Sequence, residues 1–156
     1  MAHAGERDAD ALLNLYANAT AHIGDLRYDV RRERIPQLEA ALAAARRRRD
    51  RRAESAWLGN LGLAYDSLGE HQRAIVYHEQ SLKIAREIGD RRGEGRATWN
   101  LGLVYEQQGD LARAVELMQA AVHIKREIGD PGVGDRVAHL ERLRQRLTQS
   151  QQVPPS

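Results

Sequence analysis

Apolar residues recur at intervals of three and four along most of the chain, which is the spacing of amphipathic helices. Leu58, Leu61 and Tyr65 form one such stripe, and Met118 and Val122 belong to another. No apolar run is long enough to cross a membrane as a helix. The pattern predicts four helices in the middle of the chain, at about residues 54–68, 71–88, 94–108 and 111–128.

Glycines mark the ends of these predicted helices. Gly69 and Gly109 fall inside each pair, where the chain must reverse, and Gly89 and Gly129 fall at the end of each pair. Glycine takes the left-handed conformation that closes a helix without a side-chain clash. Pro131 then stands where a following helix would begin. The chain is therefore predicted to be a series of antiparallel helix pairs.

The two pairs are copies of one another, because residues 51–90 align with residues 91–130 without a gap. Glycine within a helix costs about 1 kcal/mol against alanine, so Gly62 and Gly102 in the middle of the first helices indicate that the second helix of each pair packs closely there. Ala74 and Ala114 of the second helices are expected to face these glycines. The shared residues include Asn60 with Asn100, Leu61 with Leu101, Gly62 with Gly102, Tyr65 with Tyr105, Gly69 with Gly109, and Ala74 with Ala114.

The flanks of the repeats are also periodic. A helix over about residues 8–23 is followed by a basic helix whose stronger part we expect to begin near Ile35, because Pro36 breaks an earlier start. Residues 8–50 are interpreted as a degenerate first repeat. Residues 131–148 are predicted to form a helix that caps the last repeat with one apolar face, and residues 149–156 a disordered tail.

The motif Leu-Gly-x-x-Tyr with an alanine nine residues later occurs at residues 61–74 and at residues 101–114, and it resembles the tetratricopeptide repeat. The forty-residue period, against thirty-four in that family, is similar to the variant repeats of kinesin light chains, of Leu-Gly-Asn-rich spindle-orientation adaptors and of bacterial signalling regulators. Some positions depart from the family pattern: Leu58 and Thr98 for tryptophan, His78 and Met118 for phenylalanine, and Arg86 and Arg126 for proline.

The resemblance implies an all-α fold, a right-handed superhelix of about three antiparallel helix pairs, residues 1–150 forming one domain. It also implies a protein–protein interaction scaffold that binds a peptide or partner protein on the concave wall of the first helices of each pair, the A helices. The partner-binding residues expected there are Gly59, Asn60, Leu63, Asp66, Ser67, Asn100, Leu103, Glu106 and Gln107, together with Ala56 and Ala97.

Asn60 and Asn100 are the strongest candidates, because a carboxamide both donates and accepts and so can hold a peptide backbone of any sequence. The alternative is that each asparagine bonds a neighbouring helix or faces water. Trp57 and Trp99 are either ligand anchors or, as we favour, interhelix packing. Tyr65 is assigned to the core, like its counterpart in the second repeat.

Composition narrows the remaining functions. The 24 Lys and Arg are nearly balanced by 22 Asp and Glu, for a net charge of +2, and there is no cysteine. The basic run Arg46–Arg52 is interpreted first as the end of a helix, where positive charge is favourable. Nucleic-acid binding through this run is the less favoured alternative. No metal-ligand spacing or catalytic motif occurs, so we expect no enzyme, cofactor or metal. A cytoplasmic protein is the default expectation, and a self-assembling structural module is the main rival function.

Overall fold

The computed structural model describes residues 29–152, and every regular element in that range is helical, which confirms the all-α prediction. The predicted helix over residues 8–23 lies outside the described residues. Each described helix packs on the next along the chain. The elements are a π-helical segment Val30–Arg34, α1 Ile35–Arg47, α2 Arg51–Ser67, α3 His71–Glu87, α4 Arg91–Gln107, α5 Leu111–Glu127 and α6 Val133–Gln152.

The start of α1 shows how a proline is accommodated. The N–H of Ile35 donates to the carbonyl of Val30, five residues back, which is the bond of a π-helix. Pro36 follows directly and has no N–H to donate to the turn before it. The α-helix therefore begins at Ile35, as expected, and the wider turn before it lies where regular α-helical bonding is interrupted.

The A helices α2 and α4 begin three residues earlier than the apolar pattern suggests. The carboxylate of Asp50 accepts a hydrogen bond of 2.9 Å from the N–H of Ala53, and Asp90 accepts one of 3.0 Å from Gly93. These bonds satisfy N–H groups that have no partner within the helix. The predicted starts at residues 54 and 94 were therefore too late, because the pattern of apolar residues contains no information about a capping aspartate.

The turns between helices have the predicted glycine conformation. Gly69, Gly89, Gly109 and Gly129 all have positive φ angles between 64° and 82°. Arg49 occupies the equivalent place after α1 and has a φ of 55°, which is costly for a residue with a Cβ atom. The arginine run therefore does close a helix, as expected, but with an arginine where the later helices carry glycine.

Mid-helix glycines allow the two helices of a pair to touch. A Cβ atom on Gly62 would lie 2.5 Å from Cε1 of His78, and one on Gly102 would lie 2.8 Å from Cγ of Met118. The close packing predicted from these glycines is confirmed. The nearest side chains are His78 and Met118, which the sequence interpretation did not name as facing residues. The carbonyl oxygen of Ala114 also lies 3.4 Å from the Cβ position of Gly102, so the predicted alanine does face the glycine in the second repeat.

The last helix, α6, packs against the final pair through Leu140 and Leu143, both buried in a cluster that includes Met118 and Trp99. It ends at Gln152, so residues 149–152 are helical and the tail predicted to begin at residue 149 was placed too early. The glutamines and serine there favour helix sufficiently, and the first proline after them is Pro154. Residues 153–156 lie outside the described range.

Candidate partner-binding face

Five of the predicted site residues fall on one stripe of an A helix. In α4, Asn100, Leu103 and Gln107 follow one another at spacings of three and four, so they share a face, and Asn60 and Leu63 do the same in α2. The carboxamides of Asn60 and Asn100 are half-buried, and neither accepts or donates a side-chain hydrogen bond within residues 29–152. The polar groups most suited to a ligand are therefore unsatisfied by the described chain.

A direct hydrogen bond ties the two stripes together. Nε2 of Gln107 in α4 donates to Oδ2 of Asp66 in α2 at 3.0 Å, and Nδ1 of His71 lies 3.0 Å from Oδ1 of the same carboxylate. The C-terminal ends of α2 and α4 are thus side by side. Asp66 and Gln107, both predicted to bind a partner, already bind each other.

Glu106 makes the corresponding link from α4 to α6. Its Oε2 lies 2.7 Å from Nε2 of His139, and its Oε1 accepts from the guanidinium of Arg146. Arg146 stands forty residues after Glu106, so α6 takes the position of a further A helix. Glu106, predicted to contact a ligand, is occupied by these two bonds.

The remaining predicted residues differ in accessibility. Leu63 is 44% exposed, whereas Leu103 is half-buried against the cluster around Met118. The Ser67 hydroxyl donates to the carbonyl of Ala64 at 2.7 Å. A Cβ atom on Gly59 would lie 3.5 Å from Oγ of Ser81, so this glycine faces α3.

Two alanines were assigned to this face, and one of them was misplaced. Ala97 is buried in the core. The residue that corresponds to Ala56 in the next repeat is Arg96, one position before Ala97. Arg96 is exposed and lies one turn before Asn100. An arginine that the sequence interpretation missed therefore belongs to the candidate face, and counting forty residues from Ala56 would have found it.

The tryptophans pack between helices. Trp99 is 4% exposed and meets the ring of His139 edge to face, with centroids 5.6 Å apart. The guanidinium of Arg136 lies 4.2 Å from the centre of the Trp99 ring. Trp57 is partly buried against the first core cluster. Both observations agree with interhelix packing, the interpretation favoured from the sequence.

A repeated ladder of ion pairs runs along the edge where the A helices begin. Arg46 of α1 bonds Glu54 of α2 at 3.0 Å, Arg51 bonds Glu54 at 2.6 Å, and Arg51 also bonds Glu87 of α3. The same arrangement follows forty residues later with Arg86, Glu94, Arg91 and Glu127. Arg46 and Arg51 of the basic run are thereby engaged within the protein.

His78 is the least expected polar group in the core. It is 0% exposed, and neither ring nitrogen has a hydrogen-bond partner among the described residues. Burial lowers the pKa of His78 from 6.5 to about 4, although the charge of Asp66 acts in the opposite direction. The neutral ring therefore fills the space beside Gly62 as an apolar group would.

Within residues 29–152 no group of three histidine, aspartate or glutamate side chains is placed to hold a metal ion. Over the same residues no helix has the length and hydropathy needed to span a membrane.

Stacked two-helix units with a shared face of A helices define a helical-repeat scaffold. The family model of the tetratricopeptide repeat matches residues 68–127, which cover α3, α4 and α5. Residues 68–127 therefore match the tetratricopeptide repeat, and repeats of this family generally mediate protein–protein interaction. The likeness to the forty-residue repeats of kinesin light chains stays a resemblance. No curated protein matches the chain.

Proposed function

We propose that this protein is a non-catalytic scaffold that binds a peptide or protein segment along the face formed by α2, α4 and α6. The observation that carries the proposal is the pair of carboxamides on Asn60 and Asn100. They occupy the same position in consecutive repeats, and within the described residues neither has a hydrogen-bond partner. A backbone amide of an extended ligand needs both a donor and an acceptor, which each carboxamide supplies.

The hydrogen bonds inside the face support this assignment of roles. Asp66 with Gln107, and Glu106 with His139, hold successive A helices at a fixed separation. A surface held in place in this way loses little conformational entropy on binding. Of the predicted residues, Asn60, Asn100 and Leu63 remain available to a ligand, and Asp66, Glu106 and Gln107 hold together the helices that carry them.

The proposal is tested by screening the purified protein against a peptide library and measuring the affinity of each hit by calorimetry. For a true ligand we expect Asn60→Ala and Asn100→Ala each to weaken binding by about tenfold, the loss of one or two hydrogen bonds. Gln80→Ala, an exposed carboxamide on α3, is the matched control and should leave the affinity unchanged. Unchanged affinity in both asparagine variants would assign the ligand to another surface.

Self-association is the second function to be tested, because Leu63 and Val76 are both large apolar side chains that are 44% exposed. Light scattering over a range of protein concentrations distinguishes the two functions. A mass that stays at 17.5 kDa supports a scaffold acting as a monomer. A mass that rises with concentration, and that falls back in Leu63→Gln, would support assembly.

A further inference from the structure

A basic cavity lies between α4, α5 and α6, next to the face described above. It encloses about 220 Å³, and its wall includes Arg92 and Arg96 of α4, Lys125 of α5 and Arg136 of α6. Trp99 also lines it, and the guanidinium of Arg136 lies over the indole ring. The cavity is therefore small, aromatic on one side and strongly positive.

The one carboxylate in the wall is already engaged. Asp130 lies 2.9 Å from Nζ of Lys125 and accepts a bond of 2.8 Å from the N–H of Gly132. The Lys125 bond, together with the Gly132 bond, lowers the pKa of Asp130 and keeps it ionised. Among the described residues no carboxylate hydrogen-bonds Arg92, Arg96 or Arg136, so three guanidinium groups remain without a bonded anion.

Of these three arginines, Arg136 gives the strongest argument that the cavity binds an anion. It is half-buried, and loss of hydration lowers its pKa, an effect that the charge of Asp130 opposes only in part. A partly buried cation without a bonded counter-ion is unfavourable, and an anion entering the cavity would relieve that cost. The contact with the Trp99 ring also restricts the guanidinium, which can form two parallel bonds to a carboxylate or phosphoryl group.

The cavity is particular to this end of the repeat array. At the corresponding positions one repeat earlier, Arg96 is replaced by Ala56, Trp99 by Gly59 and Lys125 by Ala85. The forty-residue pattern alone therefore does not account for these residues. The cavity also adjoins the candidate face, because Arg96 lies one helical turn before Asn100 on the same stripe.

We propose that this cavity binds an anionic side chain, a carboxylate or a phosphoryl group, of an acidic peptide segment. The inference rests on the proposed function, since it names the chemistry of the segment that the face would hold. Arg96 and Arg136 contact the anion in this arrangement, and Arg92 adds to the local positive potential. An extended segment whose backbone reaches Asn100 places an acidic residue in the cavity.

The test uses Trp99 as the reporter. The protein has two tryptophans, so Trp57→Phe leaves Trp99 as the only one, and its fluorescence reports on the cavity directly. The probes are three short peptides in which alanine alternates with glutamate, with phosphoserine or with lysine. We expect saturable changes in Trp99 emission with the glutamate and phosphoserine peptides and none with the lysine peptide; the tighter of the two acidic peptides identifies the preferred anion.

Variants in the same background test which residues bind the probe. Arg96→Gln and Arg136→Gln should each weaken the acidic peptides by about tenfold, and Arg96→Lys should recover part of the loss. Arg126→Gln removes the same charge from the exposed side of α5, away from the cavity, and should change the affinity little. Calorimetry on the unsubstituted protein checks that the fluorescence change reflects binding.

The outcomes separate this inference from the proposed function. Weakening by the arginine variants but not by Asn60→Ala or Asn100→Ala would support the cavity and refute the asparagine face. Binding that is equal for acidic and lysine peptides, equal in Arg96→Gln and Arg126→Gln, or absent for both acidic peptides would overturn the cavity assignment, whatever the asparagine variants show.

Discussion

Replacing His78 by methionine is expected to stabilise the protein and to remove much of its sensitivity to mild acid. The ring is fully buried beside Gly62, and its donor and acceptor nitrogens have no partner among the described residues. A buried polar group without a partner costs about 1–3 kcal/mol. Met118 fills the same place beside Gly102 in the next repeat, so the backbone geometry already accommodates methionine there.

The pH dependence follows from the direction of the pKa shift of His78. The pKa falls from 6.5 to about 4 in the folded protein, because burial disfavours the charged ring. The unfolded chain therefore binds a proton on His78 at a higher pH than the folded chain does. Above pH 6.5 the protonation of His78 has no effect on the free energy of unfolding. As the pH falls from 6.5 towards 4, this one group lowers the free energy of unfolding by about 3 kcal/mol.

Urea unfolding at several pH values between 7.5 and 4 measures both effects. We expect His78→Met to raise the free energy of unfolding at pH 7.5 by about 1–2 kcal/mol, and the gain to grow as the pH is lowered. Met118→His is the matched control, since it places the same buried ring in the other repeat and should create a second acid-sensitive group. Parallel stability curves for His78→Met and the unsubstituted protein would refute the reasoning.

Three further changes test other parts of the fold by thermal or urea unfolding. Arg49→Gly should stabilise the protein by about 1 kcal/mol, because glycine adopts a positive φ angle without strain, and Gly89→Arg should destabilise it by a similar amount. Equal free energies of unfolding in these two variants would contradict the strain at Arg49. Gly62→Ala should destabilise it by about 1–3 kcal/mol through the clash with the His78 ring, and a stabilised variant would show that the ring can move. Glu54→Gln should lose about 1–2 kcal/mol at pH 7, with the loss vanishing in strong acid; burial raises the pKa of Glu54, but bonds from two arginines outweigh it, so this stability is lost as the pH falls through the lowered pKa.

The repeat architecture could be predicted from the sequence because its signals are local. The turn glycines and the forty-residue period were visible in the letters, and Gly69 and Gly109 take the predicted conformation. The helix starts were harder to predict, because the start of α2 is set by one hydrogen bond from the backbone to the side chain of Asp50 rather than by the apolar pattern. The end of α6 was missed because helix propensity continues past residue 148 without a break.

The candidate site was predictable only as a set of positions. Asn60 and Asn100 could be chosen from their place in the repeat, but whether a polar residue is available depends on its neighbours in space. Asp66 and Gln107 stand at equally suitable positions and bond each other across two helices. The cavity around Trp99 joins residues from three helices. Arg96 and Arg136 stand one repeat period apart, but the sequence interpretation treated α6 as a cap and so did not place Arg136 beside Arg96.

The ladder of arginines and glutamates joins each hairpin to the one before it in the same register. Its members recur every forty residues, from Arg46 with Glu54 to Arg86 with Glu94, and at the next step Pro131 and Gly134 stand where an arginine and a glutamate would be required. An inserted copy of residues 91–130 would therefore bring its own matched charges and lengthen the scaffold by one whole unit. An insertion of any other length would leave guanidinium groups opposite the wrong turn of helix, so extension in complete steps is the one that keeps every ion pair.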